Sequence, residues 1–287
     1  MSEKNISDIT VVIPTIGEKS LKKVVKSLLE GSLIPDKILI CIPNEYLAST
    51  NEILTLHRSI EIIRTSRKGQ VYQRSVGFSY SKTKYTLQLD SDVIVGKNLL
   101  SKLIHRMKKY DRVAVGPIIL DYWTKKPRSN LSPISSGYTT SELNFLYWIA
   151  NGSEGYKAGV ISKSGINFGL DTIKRDQEVQ WLPGGCIMHK TESLVMHDFY
   201  PYKGKAYAED LYHSMILSKN RTKMIVASDA FVEIMFINKI HIIQFFKEQF
   251  YYNKSMLNLI NIYNKSKIRF LIFRLFFLLF SLRKRIF

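Results

Sequence analysis

Two carboxylates separated by one residue, Asp90 and Asp92, follow an apolar run that ends at Leu89. Carboxylates at positions i and i+2 just beyond a strand can point into the same space. Their hard oxygen atoms suit Mg²⁺ or Mn²⁺, which also bind phosphate oxygens and keep some of their water. A turn capped by two aspartates would give the same tripeptide. The elements around Asp90-Ser91-Asp92 must therefore decide between a metal site and a turn.

A second acidic pair, Glu209-Asp210, stands directly before a run with helical spacing, in which Leu211, Met215 and Leu217 are apolar. Carboxylates are favourable at a helix N-terminus, because the helix dipole is positive there. The pair alone therefore indicates the start of a helix, and any chemistry depends on what the carboxylates face.

Short apolar runs alternate with segments of helical periodicity from Ile9 to Ala227. Strands are predicted at 9–13, 38–42, 60–64, 85–89, 113–115 and 224–227, and helices at 21–29, 70–81, 99–107 and after Asp210. This alternation predicts an α/β fold, with a mostly parallel sheet and helices on both faces. Ligands of such sheets bind beyond the carboxyl ends of the strands. Asp90-Ser91-Asp92 lies at such an end, which favours the metal site over the turn.

Two changes of composition divide the chain. Residues 120–180 are rich in Ser, Gly, Lys and Tyr and have weak periodicity, which is typical of a lid or binding loop, so we interpret them as an acceptor and lid region. From Phe231 onward, apolar and aromatic residues dominate and are interrupted by Lys and Arg. We therefore predict one domain at 1–235 and a basic, aromatic helical tail at 236–287.

The most apolar stretch of the tail runs from Phe270 to Phe280 and contains Arg274. It is shorter than the roughly 20 residues that a membrane-spanning helix needs. An in-plane helix at a membrane surface, whose basic residues reach the lipid phosphates, fits this pattern best. A tilted or re-entrant insertion and an ordinary core helix are the alternatives.

The excess of basic residues, 42 Lys and Arg against 24 Asp and Glu, predicts an anionic partner. Nucleic acid, an acidic membrane surface and a phosphorylated substrate all meet that description. The sequence carries no zinc-finger or RRM signature, and its basic residues are spread through the helices and the tail. We therefore expect an anionic membrane surface and phosphorylated substrates as partners, and no nucleic acid.

The two cysteines, Cys41 and Cys186, each lie within an apolar run and are predicted to be buried thiols. Buried free thiols fit a reducing compartment. Residues 1–8 are polar and lack the apolar core of a signal peptide. We expect a cytoplasmic protein whose tail attaches it peripherally to the inner face of the cell membrane.

Five segments, in order between Ile9 and Ala230, resemble the family 2 glycosyltransferases of the GT-A fold. They are the opening strand Thr10-Val11-Val12-Ile13-Pro14-Thr15, the segment from Arg67 to Gly77, the aspartate motif Leu87-Gln88-Leu89-Asp90-Ser91-Asp92-Val93, the segment Trp181-Leu182-Pro183-Gly184-Gly185-Cys186-Ile187-Met188 and the acidic motif Tyr207-Ala208-Glu209-Asp210-Leu211. Each motif alone is modest, but five in the family order are specific. The resemblance implies a Rossmann-like, nucleotide-binding GT-A domain of the kind that assembles bacterial glycans such as O-antigen.

The resemblance also implies roles for particular residues. Asp210 would be the catalytic base, and Glu209 beside it would contact sugar or acceptor hydroxyl groups. Asp92 would bind the metal, and Asp90 would share that site while lying towards the ribose. Further donor-binding positions would be Thr15, Asn44, Glu45, Lys68, Gly69, Gln70, Arg74 and Ser91, and the donor-sugar and acceptor pocket would be lined by Trp181, Gly184 and Gly185.

The sequence departs from the family pattern at two places. An aspartate that often reads the base after the second strand is replaced by Ile42-Pro43-Asn44-Glu45, so base contacts fall to Asn44 or Glu45. A histidine that often follows the late strand near the metal is absent, and Glu233 is available there instead. The identity of the nucleotide and the further metal ligands therefore stay open.

The reaction that the resemblance implies is a metal-dependent, inverting transfer of a sugar from a nucleoside-diphosphate sugar, with Mn²⁺ or Mg²⁺ as cofactor. UDP-sugars are the commonest donors in such families. The chain has no Gln-x-x-Arg-Trp sequence, which processive synthases of this fold carry, so one sugar per encounter is favoured. The expected acceptor is a glycan linked to polyprenyl diphosphate. A catalytically silent, nucleotide-sugar-binding relative is the alternative.

Overall fold

The strands of the protein form one sheet in a computed structural model that describes residues 6–127, 131, 133, 137–235 and 242–286. The strands are β1 (Ile6–Pro14), β2 (Ile34–Pro43), β3 (Ile60–Thr65), β4 (Tyr85–Leu89), β5 (Val93–Val95), β6 (Val113–Asp121), β7 (Gln177–Glu178), β8 (Cys186–Lys190) and β9 (Lys223–Ile234). The helices are α1 (Leu21–Leu29), α2 (Asn51–Leu54), α3 (Gln70–Tyr80), α4 (Leu99–Met107), α5 (Thr140–Asn151), α6 (Glu209–Lys219), α7 (Ile242–Ile262) and α8 (Lys267–Ile286). The strands and helices predicted from periodicity are all present within these bounds, except that the helix predicted at 70–81 extends beyond α3, which ends at Tyr80.

The sheet is mixed, which corrects the prediction of a mostly parallel one. Its strand order is β3-β2-β1-β4-β8-β6-β9-β5, and β7 pairs with β9. The pairs among β3, β2, β1 and β4 are parallel, as is β6 with β9. β8 runs antiparallel to both β4 and β6, and β5 and β7 run antiparallel to β9. The prediction failed because β8 pairs with β4, a strand about a hundred residues earlier in the chain, and local periodicity carries no information on such distant pairings.

Helices cover both faces of the sheet, as predicted. Successive residues of β1 point to opposite faces, so Val11 packs with the side chains of α1 and α4 while Val12 packs with Phe78 of α3. Both valines are fully buried. Burial on two faces explains why these strands read as continuous apolar runs.

The carboxyl ends of β2, β1 and β4 meet at one edge of the sheet, because these neighbouring strands are parallel. Just beyond this edge, the Thr15 N–H donates to the Cys41 carbonyl oxygen over 3.0 Å. The buried side chain of Gln73, on α3, donates to the carbonyl oxygens of both Thr15 and Cys41, over 2.7 and 2.6 Å. Hydrogen bonds from α3 therefore hold the edge of the sheet that carries Asp90 in place.

The region 120–180, predicted as irregular, contains the helix α5. Its N-terminus is fixed by a capping box, in which the Thr139 hydroxyl accepts from the Glu142 N–H and the Glu142 carboxylate accepts from the Thr139 N–H. The Thr-x-x-Glu signal is readable in the sequence. The weak apolar periodicity of this region did not predict the helix, because polar residues surround the signal.

The tail helices share the core of the domain. Five side chains of α7 and α8 lie buried in the same cluster as α5 and α6, namely Met256, Leu259, Ile260, Phe270 and Phe273. Of the predicted tail, residues 236–241 lie outside the described residues. None of the helices in the described part of the chain is both long enough and apolar enough to cross a membrane. The alternative interpretation of α8 as an ordinary core helix is thus partly correct. The predicted boundary between domain and tail at 235/236 stays a prediction.

Both cysteines are buried free thiols, as predicted. Cys41 also takes part in the tightest contact between the sheet and α3. A Cβ atom placed on Gly77 of α3 would lie 2.5 Å from Cys41 Sγ and 2.5 Å from Val12 Cγ1. Only glycine lets this helix approach the sheet so closely.

Gly77→Ala should therefore destabilise the protein, even though alanine favours a helix more than glycine does. Forcing a methyl group into a packed core costs about 1–3 kcal/mol, and we expect a net loss of that order in urea-induced unfolding followed by circular dichroism. Gly96→Ala is the matched control, since its added Cβ would meet nothing closer than the Phe231 carbonyl oxygen at 3.7 Å. Equal unfolding midpoints for the two variants would contradict this packing.

Candidate active site

Asp90 emerges from the end of β4 with its carboxylate held by α3. Arg74 Nη2 and Gln70 Nε2 both donate to Asp90 Oδ1, over 2.5 and 2.9 Å. The Asp90 N–H donates to the Gly185 carbonyl oxygen over 2.9 Å. The structure thus brings together four of the predicted residues, Gln70, Arg74, Asp90 and Gly185, and leaves Asp90 Oδ2 as the less constrained oxygen.

Arg74 is the centre of this arrangement. Its side chain is only 4% exposed, and it pairs with Asp90 on one side and with Glu209 Oε1 on the other, over 2.8 Å. Arg74 Nη2 also donates to the Gly184 carbonyl oxygen over 3.1 Å. Burial opposes the charge, but the two carboxylates outweigh burial and raise the pKa of Arg74. One guanidinium therefore joins the aspartate motif, the Gly184 carbonyl oxygen and the acidic motif.

Glu209 is buried under the site, and its predicted contact with sugar or acceptor hydroxyl groups stays a prediction. It is 7% exposed, and one oxygen is taken by Arg74. Burial raises its pKa, and the Arg74 charge opposes that rise. A Cβ atom on Gly184 would lie 2.1 Å from Glu209 Oε1. Gly184 is therefore required to make room for Glu209, whatever else it does for a donor sugar.

Asp210 follows at the start of α6 and is half-buried. The preceding residue, Ala208, has a left-handed backbone with φ of 56°, which turns the chain sharply into the helix. Burial raises the pKa of Asp210 to about 7, and the neighbouring Glu209 carboxylate adds to the rise. A carboxyl group with such a pKa can accept and release a proton near neutral pH, which is what a general base needs.

A carboxylate that the sequence did not single out, Glu18, lies beside the aspartate motif. Glu18 Oε2 accepts hydrogen bonds from Ser91 Oγ over 3.1 Å, from the Ile16 N–H over 3.2 Å and from Thr15 Oγ1. It therefore ties the loop after β1 to Ser91. No sequence pattern marked it, because the link to Ser91 is made only by the pairing of β1 with β4.

Asp92 is half-buried where β5 meets the end of β9, and its carbonyl oxygen accepts from the Met235 N–H over 2.9 Å. Glu233, considered in place of the missing histidine, forms an ion pair with Lys125 over 2.5 Å. Within the described ranges, no three His, Cys, Asp or Glu side chains converge on a point where they could hold a metal. Any metal here would need ligands from a substrate or from water.

The remaining donor-side residues lie at or near the same edge. Asn44 and Glu45 are exposed and directly follow β2, next to the buried Thr15. Lys68 is exposed, and Gly69 begins α3 with a φ of 149° that glycine adopts readily. Their predicted contacts with a nucleotide stay predictions.

Trp181 lies away from this edge, inside the core. Its ring is 8% exposed and its Nε1–H donates to the Phe168 carbonyl oxygen over 2.9 Å. Its predicted place in the lining of the donor-sugar and acceptor pocket stays a prediction. Trp123 and Trp148 are exposed instead, at 72% and 61%.

Two buried histidines, His189 and His213, lie near Arg74. The rings of His189 and His213 are 5.3 Å apart and almost fully buried. Burial lowers the pKa of His189 to about 3, and the Arg74 charge adds to this effect. The positive charge of the site therefore rests on Arg74 and is not shared with these imidazoles.

Comparison with known proteins identifies a family, and the solved structures that resemble this chain include GalNAc-T7 and TarS. The profile of glycosyl transferase family 2 matches residues 10–164. No curated protein matches the sequence. GalNAc-T7, solved with UDP, GalNAc and Mn²⁺, has a TM-score of 0.59 and 17% identity over 82% of this chain and 45% of its own. TarS 1–349 of S. aureus has a TM-score of 0.49 and 15% identity over 78% of this chain and 59% of its own.

The likeness to GalNAc-T7 is one of fold, and it supports the predicted GT-A architecture. The chain spans about half the length of these solved structures.

Arg74→Met should strongly destabilise the fold, because it leaves the buried Glu209 and the partly buried Asp90 without their cation. Breaking a buried ion pair in this way costs about 3–5 kcal/mol. Chemical unfolding of the purified variant measures the loss. Adding Glu209→Gln to Arg74→Met should recover part of it, since one uncompensated charge is then removed.

Lys22→Met is the matched control, because Lys22 forms an exposed pair with Glu52 over 2.6 Å. Exposed pairs contribute little. An Arg74→Met protein as stable as the Lys22→Met protein would show that the buried network carries no structural weight.

Proposed function

Because this chain belongs to glycosyl transferase family 2, we propose that it transfers one sugar from a nucleoside-diphosphate sugar to a hydroxyl group of a glycan acceptor. The transfer proceeds with inversion at the sugar carbon, in a single displacement. Asp90 and Asp92 lie on the donor side and Asp210 is the base on the acceptor side. The product belongs to the assembly of a bacterial glycan such as O-antigen.

The observation that carries this proposal is the double ion pair of Arg74. It fixes Asp90, on the strand end that faces a donor, relative to Glu209, which directly precedes Asp210. Transfer requires the attacking hydroxyl group and the leaving diphosphate to be held in line, and fixed geometry lowers the entropic part of the barrier. The buried Arg74 guanidinium bonds to both motifs and so fixes the distance between Asp90 and Glu209.

A divalent metal fits the donor side. Mg²⁺ and Mn²⁺ take carboxylate oxygens together with phosphate and water, so two aspartates suffice from the protein. Asp92 would hold the ion, while Asp90 would contribute less, since its Oδ1 already serves Arg74 and Gln70. When bound, the ion would stabilise the negative charge that develops on the departing diphosphate.

The donor is proposed to be a UDP-sugar. GalNAc-T7, which shares the fold, was solved with UDP, GalNAc and Mn²⁺. In this chain the nucleotide would lie along the edge formed by Thr15, Asn44 and Glu45, with Lys68 and Gly69 at the start of α3. Glu18 would hold the loop that carries Thr15 against Ser91.

The acceptor hydroxyl group would meet Asp210. A sugar hydroxyl is a weak nucleophile until its proton is removed during attack, and a carboxylate within reach can take that proton. Glu209 would act as a positioning residue, since its negative charge helps to raise the pKa of Asp210.

Asp210→Asn should abolish sugar transfer and leave nucleotide binding in place, because the amide cannot accept the proton. In the wild type, kcat/KM should rise with pH through about 7 and then level off, since the base acts in its deprotonated form and its pKa is about 7. Release of nucleoside diphosphate in the presence of acceptor measures both effects. Glu209→Gln should move the rising limb to lower pH.

Asp111→Asn, on an exposed loop between α4 and β6, is the matched control and should retain wild-type kinetics. Transfer at the wild-type rate by Asp210→Asn would refute Asp210 as the base.

The acceptor is proposed to be a glycan linked to polyprenyl diphosphate, at the cytoplasmic face of an anionic membrane. One face of α8 packs into the core, while the opposite face exposes Ile268, Leu271, Ile272, Leu275 and Leu279. Exposed Lys267 and Arg283 stand at the two ends of this apolar face. An apolar face flanked by basic residues suits a headgroup region, where each basic residue contributes on the order of 1 kcal/mol.

Ile268→Gln with Leu275→Gln should weaken binding to anionic vesicles by more than about tenfold, because two apolar side chains no longer enter the bilayer. Flotation with vesicles of phosphatidylglycerol and phosphatidylcholine measures the bound fraction. Substitutions are preferable to removal of the tail, whose inner face belongs to the core.

Leu54→Gln serves as the control, because Leu54 is exposed on α2, away from the tail helices. It should float as the wild type does. Equal flotation of the tail variant and the control would reject the membrane surface as a partner.

A further inference from the structure

Arg274 is a buried cation between the two tail helices. It lies on α8, is 6% exposed, and forms no ion pair with any acidic side chain in the described part of the chain. The other almost fully buried arginine, Arg74, has two carboxylate partners. A buried charge without such a partner is costly, so its presence requires an explanation.

The surroundings of Arg274 are aromatic and neutral. Its Cζ lies 5.2 Å from the ring centre of Tyr252 and 4.9 Å from that of Phe277, and Nη2 donates to Gln249 Oε1. The Nε atom has no hydrogen-bond partner among the described residues. Burial lowers the pKa of Arg274, and the nearby tyrosines only oppose that effect. Ring faces attract a cation but neutralise none of its charge.

The position of Arg274 is close to the catalytic side of the molecule. Burial raises the pKa of the Tyr252 phenol most, and the Arg274 charge lowers it. The Asp210 carboxylate also raises the pKa of Tyr252, so Asp210 lies within electrostatic range of that phenol. α7 is also bound to the segment that leads into the acidic motif, since Ser255 Oγ donates to the Tyr207 carbonyl oxygen over 2.7 Å. Tyr252 therefore contacts the Arg274 guanidinium and lies within electrostatic range of the Asp210 carboxylate.

We propose that Arg274, with Gln249 and Tyr252, is a binding site for a phosphate group of the acceptor. A guanidinium offers a planar set of donors that matches phosphate oxygens, and a dianion would supply the missing counter-charge. This inference rests on the proposed function, because it assigns the site to the acceptor of that reaction. It makes the tail a part of the acceptor site as well as a surface for docking.

The phosphate has two conceivable sources, a prenyl phosphate and a water-soluble phosphate. The prenyl source is consistent with the exposed apolar side chains on the other face of the same helix, such as Leu271 and Leu275. The Arg274 guanidinium would bind a phosphate group in both cases. The ligands used in the experiment distinguish the prenyl source from the water-soluble source.

The test titrates the full-length protein, without divalent metal, with geranyl phosphate, geraniol and inorganic phosphate, using calorimetry. Wild type should bind geranyl phosphate, and Arg274→Met should weaken that binding by about 10- to 100-fold, as expected for lost charge-assisted hydrogen bonds. Arg274→Lys should retain part of the affinity. Equal dependence on Arg274 for inorganic phosphate would support the site with a water-soluble source.

Thermal unfolding without ligand separates this role from a structural one. Removing a buried, unpaired charge is often neutral or stabilising, so Arg274→Met should melt at or above the wild-type temperature. A large drop in melting temperature, with phosphate affinity unchanged, would overturn the proposal, as would equal affinity of wild type for geraniol and geranyl phosphate. UDP binding by wild type with Mn²⁺ tests the proposed function separately, so failure at Arg274 with intact UDP binding would remove only this inference.

Discussion

Arg74 joins two carboxylates that come from distant parts of the chain, and it does so where little water reaches. Taking a cation and two anions out of water is expensive, and only close geometry with matched charges compensates for it. The guanidinium meets this demand through Asp90, Glu209 and the Gly184 carbonyl oxygen. The relative positions of β4, β8, α3 and α6 are therefore constrained by one side chain.

Other features of the site follow from that constraint. Gly184 has no side chain because Glu209 occupies the space where a Cβ would stand. Gly77 has none because α3 must approach β1 and β2 closely enough for Arg74 and Gln73 to reach their partners. The elevated pKa of Asp210 has the same origin, since it arises from burial beside a carboxylate that is itself kept buried by Arg74. The aspartate motif and the acidic motif are thus one electrostatic unit.

The sequence predicted the elements well where the signal was local. Apolar runs gave β1 to β4 and helical spacing gave α1, α3 and α4, because these patterns depend on neighbouring residues only. The antiparallel entry of β8 could not be predicted, since it depends on a partner far along the chain. In the site, Asp90, Arg74 and Gln70 were found together, but the burial of Glu209 and Trp181 and the part played by Glu18 are set by packing. Arg274 looked like a surface residue at a membrane because periodicity does not show what α7 covers.

Release of nucleoside diphosphate from a nucleotide-sugar would show the proposed activity of this chain. The purified protein is incubated with a panel of UDP-, dTDP- and GDP-sugars, with Mn²⁺ or Mg²⁺ and with a chelator in parallel, and released nucleoside diphosphate is quantified. We expect release from one class of donor, foremost UDP-sugars, in the presence of metal and none with chelator. Well-folded protein that neither binds nor turns over any donor would contradict the proposed activity.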